Sequence, residues 1–253
     1  MTQTLIPGAE PWSHSADGDH GALVLHGFTG NPGSMRGVAE AFAAGSYHVE
    51  MPRLPGHGTT VEDMMTTNWA DWTAAAEAAY ASLAARCSKV VVCGLSMGGS
   101  LTLWLAGQHG EIAGIVCINP ATQPQAPEVI AMIEGMIAEG TMIMPGIGSD
   151  IAEPDVHESA YEGTPLACLL DFVLNGLTPL ESTYESLRMP LLLLNSPQDH
   201  VVEPAQAEFL ATHYGGPLAR VTLERSYHVA TQDYDKELIF AESVAFADRV
   251  TNS

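Results

Sequence analysis

The stretch Val90-Val91-Val92-Cys93-Gly94-Leu95-Ser96-Met97-Gly98-Gly99 restricts the possible folds more than any other part of the chain. Its β-branched start favours an extended strand. Gly-x-Ser-x-Gly follows at once, and residues 97–108 then read as a helix. A strand that reverses into a helix over so few residues holds its serine in a strained conformation and lifts the hydroxyl clear of the sheet. Gly94 and Gly98 remove side chains that would strike neighbouring backbone, while Gly99 and Ser100 let the helix lie close to the strand. Five loosely specified positions recur by chance, so the motif alone is weak. Set between a strand and a helix it becomes specific, and the competing reading, a Gly-rich turn with an idle serine, loses its weight.

The rest of the chain provides a frame for such a turn. Residues 22–25, 47–51, 89–93, 112–118, 191–194 and 220–224 read as strands, and residues 191–194 form the continuous apolar run of a parallel strand covered on both faces. Helical spacing appears over residues 32–44, where Met35, Val38, Ala39 and Phe42 share a face. Asn68, with Asp71 three residues on, is placed to cap a helix running to about residue 86. Residues 204–212 and 235–247 read as further helices. This alternation predicts an α/β protein with a mostly parallel central sheet flanked by helices, its reactive groups at the carboxyl ends of the strands.

The alternation breaks between about residues 120 and 187. Met132, Ile133, Met136, Ile137, Met142, Met144 and Ile147 fall there among prolines and glycines. Part of that stripe must be ordinary helical packing, but adaptable methionines also suit a surface that receives apolar ligands. The expected organisation is a core of residues 1–119 and 188–253, with residues 120–187 inserted as a cap.

A serine hydroxyl needs a base to become a nucleophile, and on this kind of sheet the order is Ser, acid, His. The late run 191–194 leads into Asn195-Ser196-Pro197-Gln198-Asp199-His200, which makes Asp199 the candidate acid rather than a mere turn aspartate. Residues 221–224 lead into Arg225-Ser226-Tyr227-His228, which makes His228 the candidate base. His200 adjoins Asp199 and should point elsewhere. Asp150 and Asp171 fall in the cap, Asp233 and Asp235 lie too far along, and His109 and His213 near helix ends are expected to face solvent. Two backbone donors must meet the oxyanion: the N–H of Met97, just after the nucleophile, and the N–H of Phe28 in Leu25-His26-Gly27-Phe28, where Gly27 lets the chain turn. His26 is expected to hold that loop by hydrogen bonds, and His57 in Pro55-Gly56-His57-Gly58 to sit in a structural loop near the same edge.

The bulk numbers narrow the partners. With 30 Asp and Glu against 9 Lys and Arg, the formal net charge is −21. That balance argues against nucleic acid and against anionic membranes, and it favours a small neutral ester as substrate. No run approaches the roughly 18 apolar residues of a membrane span, so no stable membrane insertion is expected. Residues 1–12 have neither a basic start nor an apolar stretch, so the sequence is read as cytoplasmic without a signal peptide. Cys87, Cys93, Cys117 and Cys168 match no zinc spacing and read as free thiols. The proposed chemistry requires no metal and no cofactor, and the chain is expected to be a monomer or a homodimer.

Taken together, five stretches resemble the bacterial monoacylglycerol lipases and their close carboxylesterase relatives of the α/β-hydrolase superfamily. They are His26-Gly27-Phe28-Thr29-Gly30, Arg53-Leu54-Pro55-Gly56-His57-Gly58, Gly94-Leu95-Ser96-Met97-Gly98-Gly99, Asp199-His200-Val201-Val202 and Ser226-Tyr227-His228-Val229-Ala230. The resemblance implies an α/β-hydrolase fold with an inserted cap and an esterase acting through Ser96, His228 and Asp199. Ile147-Gly148-Ser149-Asp150 and Pro154-Asp155-Val156-His157-Glu158 also resemble the family's cap, which implies that Ile147 and Glu158 contact the glycerol end of the substrate. The residues 123–144 depart from the family pattern. A thioesterase or acyltransferase on the same fold would carry the same three groups, and a non-catalytic receptor could share the fold. The acidic charge speaks against coenzyme A esters, and a receptor would have no need to keep all three groups with the oxyanion loop.

Overall fold

The computed structural model describes residues 4–252, so Met1–Gln3, where the stretch read for a leader begins, lie outside the described residues, as does Ser253. A seven-stranded sheet carries the molecule. Its strands are β1 (Trp12–His14), β2 (His20–Leu25), β3 (His48–Met51), β4 (Lys89–Leu95), β5 (Gly114–Ile118), β8 (Leu191–Asn195) and β9 (Leu218–Thr222), in the spatial order β1-β3-β2-β4-β5-β8-β9. Every neighbouring pair is parallel except β1 with β3. A two-stranded antiparallel ribbon, β6 (Ile143–Pro145) with β7 (Gly163–Pro165), stands apart.

The period of two along each strand sorts its side chains into two cores. Val90, Val92, Leu191 and Leu193 face one way, where they meet Trp72 of helix α3 (Trp69–Ala84) and Leu101 of helix α4 (Met97–Gln108). Val91, Cys93, Leu95, Leu192 and Leu194 face the other way, against Phe42 of helix α1 (Arg36–Ala44) and Phe246 of helix α9 (Lys236–Thr251). The continuous apolar runs are thus those of strands buried on both faces. Helix α2 (Val61–Met64) is one turn, and helix α8 (Pro204–His213) packs Ala207 and Leu210 on the α3–α4 side.

The connection after β5 runs from Asn119 to Pro190. It contains helix α5 (Pro127–Ala138), the β6–β7 ribbon and a helical stretch that begins as α6 (Leu166–Asp171) and ends as α7 (Thr178–Glu181). A widened π turn, Phe172–Leu177, joins α6 to α7, and its Phe172, Val173 and Leu177 belong to the main core. The late part of the connection is therefore core, while α5 buries only Ile133. Met132, Met142, Ile143 and Ile147 remain exposed.

Several boundaries differ from the sequence pattern for physical reasons. Residues 32–44 split into a 3₁₀ turn, Pro32–Met35, capped by Asn31, and α1 proper. The last strand is Leu218–Thr222 rather than 220–224, because it pairs Leu218 with Leu191 at a sheet edge whose mixed burial hides the alternation. β1 is a three-residue edge strand with no apolar run to announce it. His109, expected at solvent, is part-buried, bonded to Glu77 and Glu111 and packed on Tyr80. His213 is likewise part-buried and stacks on Phe209. All four cysteines are free thiols, and no helix among the described residues is long and apolar enough to cross a membrane.

Asn68 and Asp71 form a reciprocal capping box on α3: the Asn68 side chain accepts from the Ala70 and Asp71 amides, and Asp71 accepts from the Asn68 amide. Removing the Asn68 oxygen leaves orphan amides at the start of a 16-residue core helix. Asn68→Ala should lower unfolding stability by about 1 kcal/mol in urea titration without changing the native circular dichroism.

Candidate active site

Chain direction changes at the middle of the sheet. From β2 the chain crosses to β3 on one side, while β4 lies on the other side of β2 and leads on to β5. In parallel sheets the crevice beyond the carboxyl ends at such a switch is where ligands bind. Gly27-Phe28 follows β2 there, and Ser96 follows β4.

Ser96 has φ 57° and ψ −121°, a region that costs a non-glycine residue strain and persists only where the surroundings enforce it. The enforcement is steric. A Cβ on Gly94 would stand 2.0 Å from the Gly98 carbonyl oxygen, and one on Gly98 would stand 2.2 Å from the Leu25 carbonyl oxygen. The turn is therefore wedged against the end of β2. A Cβ on Gly27 would lie 3.3 Å from the Ser96 Cβ, which puts the Gly27-Phe28 loop directly beside the serine. Neither the Phe28 nor the Met97 amide donates to a protein acceptor among the described residues. Met97 is buried at the first turn of α4, whereas Phe28 borders the cavity.

Asp199 and His228 meet directly: Nδ1 of His228 lies 2.7 Å from Oδ2 of Asp199, with side chains only 8% and 2% exposed. The other oxygen, Oδ1, accepts the Val201 and Val202 amides at 2.8 Å each. An ionised carboxylate only accepts, so the shared proton sits on Nδ1 and leaves Nε2 of a neutral ring with its lone pair. Ser96 and His228 line one cavity of about 250 Å³, together with Phe28, Ile147, Asp150 and Glu158.

The loops bearing these groups are fixed by residues outside the sequence motifs. Asn119 follows β5 with a left-handed φ of 41°. Its Nδ2 donates to the His228 carbonyl at 2.8 Å and to Ser196 Oγ at 3.1 Å, and its Oδ1 accepts the Ser196 amide at 2.7 Å. One side chain thereby staples the acid loop to the base loop. Asp233, fully buried, accepts four amides, those of Ala152, Glu153, Tyr227 and Tyr234. Asp235 accepts the Arg225 amide and the Ser226 hydroxyl. Asp171 takes the Trp69 amide at the start of α3. The only sequence hint for Asn119 is an amide residue at a strand end, where left-handed backbone is tolerated.

His26 and His57 are buried together, their rings 5.1 Å apart. His26 Nε2 accepts the Leu54 amide, so its Nδ1 carries the proton and donates to the Gly27 carbonyl. Burial pushes His57 down to about 4 and holds His26 well below the usual histidine range, so both rings are neutral struts for the Gly27-Phe28 loop. His200 points away from His228 and pairs with Asp150 at 2.8 Å.

Ile147 and Glu158 both border the cavity. Ile147 is 66% exposed. Glu158 lies on a loop rather than on a helix, and its carboxyl end is enclosed near Ser34 and against Gly30. Its segment is laced to the core. The Tyr161 amide donates to the Thr29 carbonyl, the Tyr161 hydroxyl donates to Gly56, and Asn31 Nδ2 donates to the Ser159 carbonyl.

The profile of the Alpha/beta hydrolase family matches residues 22–241. A thermostable monoacylglycerol lipase of Bacillus sp. (strain H-257) is 42% identical over 96% of this chain and 95% of its own length. The chain belongs to the alpha/beta hydrolase family. A carboxylesterase of Bacillus subtilis (strain 168) is 25% identical over 92% of this chain and 94% of its length. A solved structure described with the metagenome-derived lipolytic enzymes LipS and LipT superimposes with a TM-score of 0.91 at 42% identity, over 97% of this chain and 100% of that one. The family resemblance and the fold read from the motifs are both borne out, and this member of the family is an enzyme.

Burial raises the Glu158 carboxyl above its ordinary range, against smaller opposite effects from His228 and Ser34. The folded chain thus holds that proton at pH values where the unfolded chain has released it. Stability therefore falls as pH climbs from the ordinary glutamate range through the raised one. Glu158→Gln removes this penalty. It should raise the melting temperature at pH 8 relative to the parent, and the gain should vanish by pH 4, where both states are protonated; thermal melts at the two pH values check it.

Proposed function

We propose that this chain hydrolyses small neutral carboxylic esters, monoacylglycerols foremost, through an acyl-enzyme on Ser96. The observation that carries the reading is the Asp199–His228 pair at 2.7 Å, whose histidine borders the same cavity as a serine held in a strained turn. Nε2 of His228 takes the Ser96 proton as Oγ attacks the ester carbonyl carbon. The carbonyl oxygen becomes an oxyanion and meets the Phe28 and Met97 amides, each worth about 3 kcal/mol of barrier in such sites. Collapse breaks the bond to the alcohol, which leaves with the proton from His228. Water then attacks the acyl-serine by the same route, releasing the acid and restoring the hydroxyl. Asp199 fixes the tautomer and steadies the imidazolium without itself taking the proton.

Within the insertion 120–187, the part that precedes α6 acts as the cap over this site, with Ile147 and Glu158 at the alcohol end of the substrate. The residues lining the cavity include Asp150 and Glu158 but no Lys or Arg, which supports a neutral substrate over a phosphorylated one. Kinship with a monoacylglycerol lipase and a carboxylesterase supports the choice of ester. Free thiols fit a reducing, cytoplasmic setting.

Ser96→Ala should reduce turnover about 10⁶-fold, and a fluorophosphonate should label the parent at residue 96 and spare the variant. Asp199→Asn should cost about 10⁴-fold. Near-normal ester turnover in either variant overturns the assignment. A hydrolysis panel of short synthetic esters, monoacylglycerols of several lengths and triacylglycerol should show a preference for monoacylglycerol that Glu158→Ala diminishes; equal rates across the panel would remove the finer reading.

A further inference from the structure

We propose that Asp150 is a positioning residue for the catalytic base, tying the cap segment that walls the cavity to both His228 and the loop of Asp199. This rests on the Ser96–His228–Asp199 reading and adds a residue that lies outside those three groups. One oxygen of Asp150, Oδ2, accepts the backbone amide of His228 at 3.0 Å and the backbone amide of His200 at 3.1 Å. The residue just after the acid and the base itself therefore hang from a single atom. Oδ1 faces the His200 ring at 2.8 Å, and the Asp150 carbonyl accepts the Val229 amide at 3.1 Å. The Asp150 side chain is only 9% exposed, so water is a poor substitute for these bonds.

Asp150 is also the place where the cap meets the base. Ile147, Gly148 and Asp150 border the cavity, and Ser149 Oγ accepts the amide of Glu158 on the facing wall. Two residues further on, the Ala152 and Glu153 amides end on Asp233. The segment is thus fixed behind by Asp233 and in front by Asp150. Of these two carboxylates, only Asp150 takes the amide of His228 itself. Asn119 holds the carbonyl of His228 from the core side. The two peptide groups of the base are therefore gripped from opposite directions, one grip belonging to the core and one to the cap. A shift of the cap at residues 147–150 moves the imidazole relative to Ser96, and misplacement on the scale of an ångström costs about 100-fold in rate.

The test is a series at this position, read on a short soluble ester. Asp150→Asn keeps one side-chain oxygen to accept, Asp150→Ser offers a shorter hydroxyl, and Asp150→Ala offers nothing. The expected order of kcat is parent, Asn, Ser, Ala, with the alanine variant down about 100-fold and KM changed by less than about threefold. The low-field proton resonance of the His228–Asp199 hydrogen bond should weaken in the same order. If the alanine variant fails to fold, the Asn and Ser variants carry the comparison. Folded variants with kcat within about threefold of the parent, or a loss that the asparagine does not restore relative to serine, overturn the role. Fluorophosphonate labelling of the parent separates the two levels. A parent that is not labelled at Ser96 fails the proposed function, whereas a labelled parent with a flat series fails only Asp150.

Discussion

Contact between two pieces of backbone governs the rest of this molecule. The turn after β4 presses so closely on itself and on the end of β2 that Gly94 and Gly98 leave no room for a methyl group. Because the helix must start there, Ser96 is driven into a conformation it would not choose. The same closeness brings the Gly27-Phe28 loop alongside, so the strain that exposes the hydroxyl also sets the distance to the backbone donors. A looser turn would lose both at once.

Around that point the chain solves a charge problem. It has 30 acidic groups against 9 Lys and Arg, and among the described residues neither Asp199 nor Asp233 forms an ion pair with one of those cations. Asp199 and Asp233 are matched instead by main-chain amides, two and four of them respectively. Such bonds fix the loop that supplies the amide. Acidic side chains thus serve as loop anchors, which explains why a strongly negative chain can still build a rigid catalytic rim.

The legible part of this architecture was the part governed by local pattern. Continuous apolar runs gave β4, β5 and β8, helical spacing gave α1, and the Asn68–Asp71 pair marked the start of α3. The strand–turn–helix context singled out Ser96, and position after late strands pointed to Asp199 and His228. What escaped was set by tertiary pairing. β1 and the limits of β9 depend on which strand lies alongside, and an edge strand need not alternate. Asn119 and Asp233 act largely through long-range bonds, spanning 109 residues from Asn119 to His228 and 81 from Asp233 to Ala152, which local pattern does not reveal. The widened turn at Phe172–Leu177 carries no pattern of its own, and its apolar residues join the main core.

The inserted segment is built to two different standards. The stretch 158–161 is bonded to Thr29, Asn31 and the loop at Gly56, beside the turn that follows β2. Helix α5, earlier in the same insertion, commits only Ile133 to the interior. Substitutions in α5 therefore disturb few contacts, while substitutions near 158–161 are felt at the loop after β2. Such a scaffold lets natural variation accumulate on one helix while the segment tied to the sheet stays insulated from it.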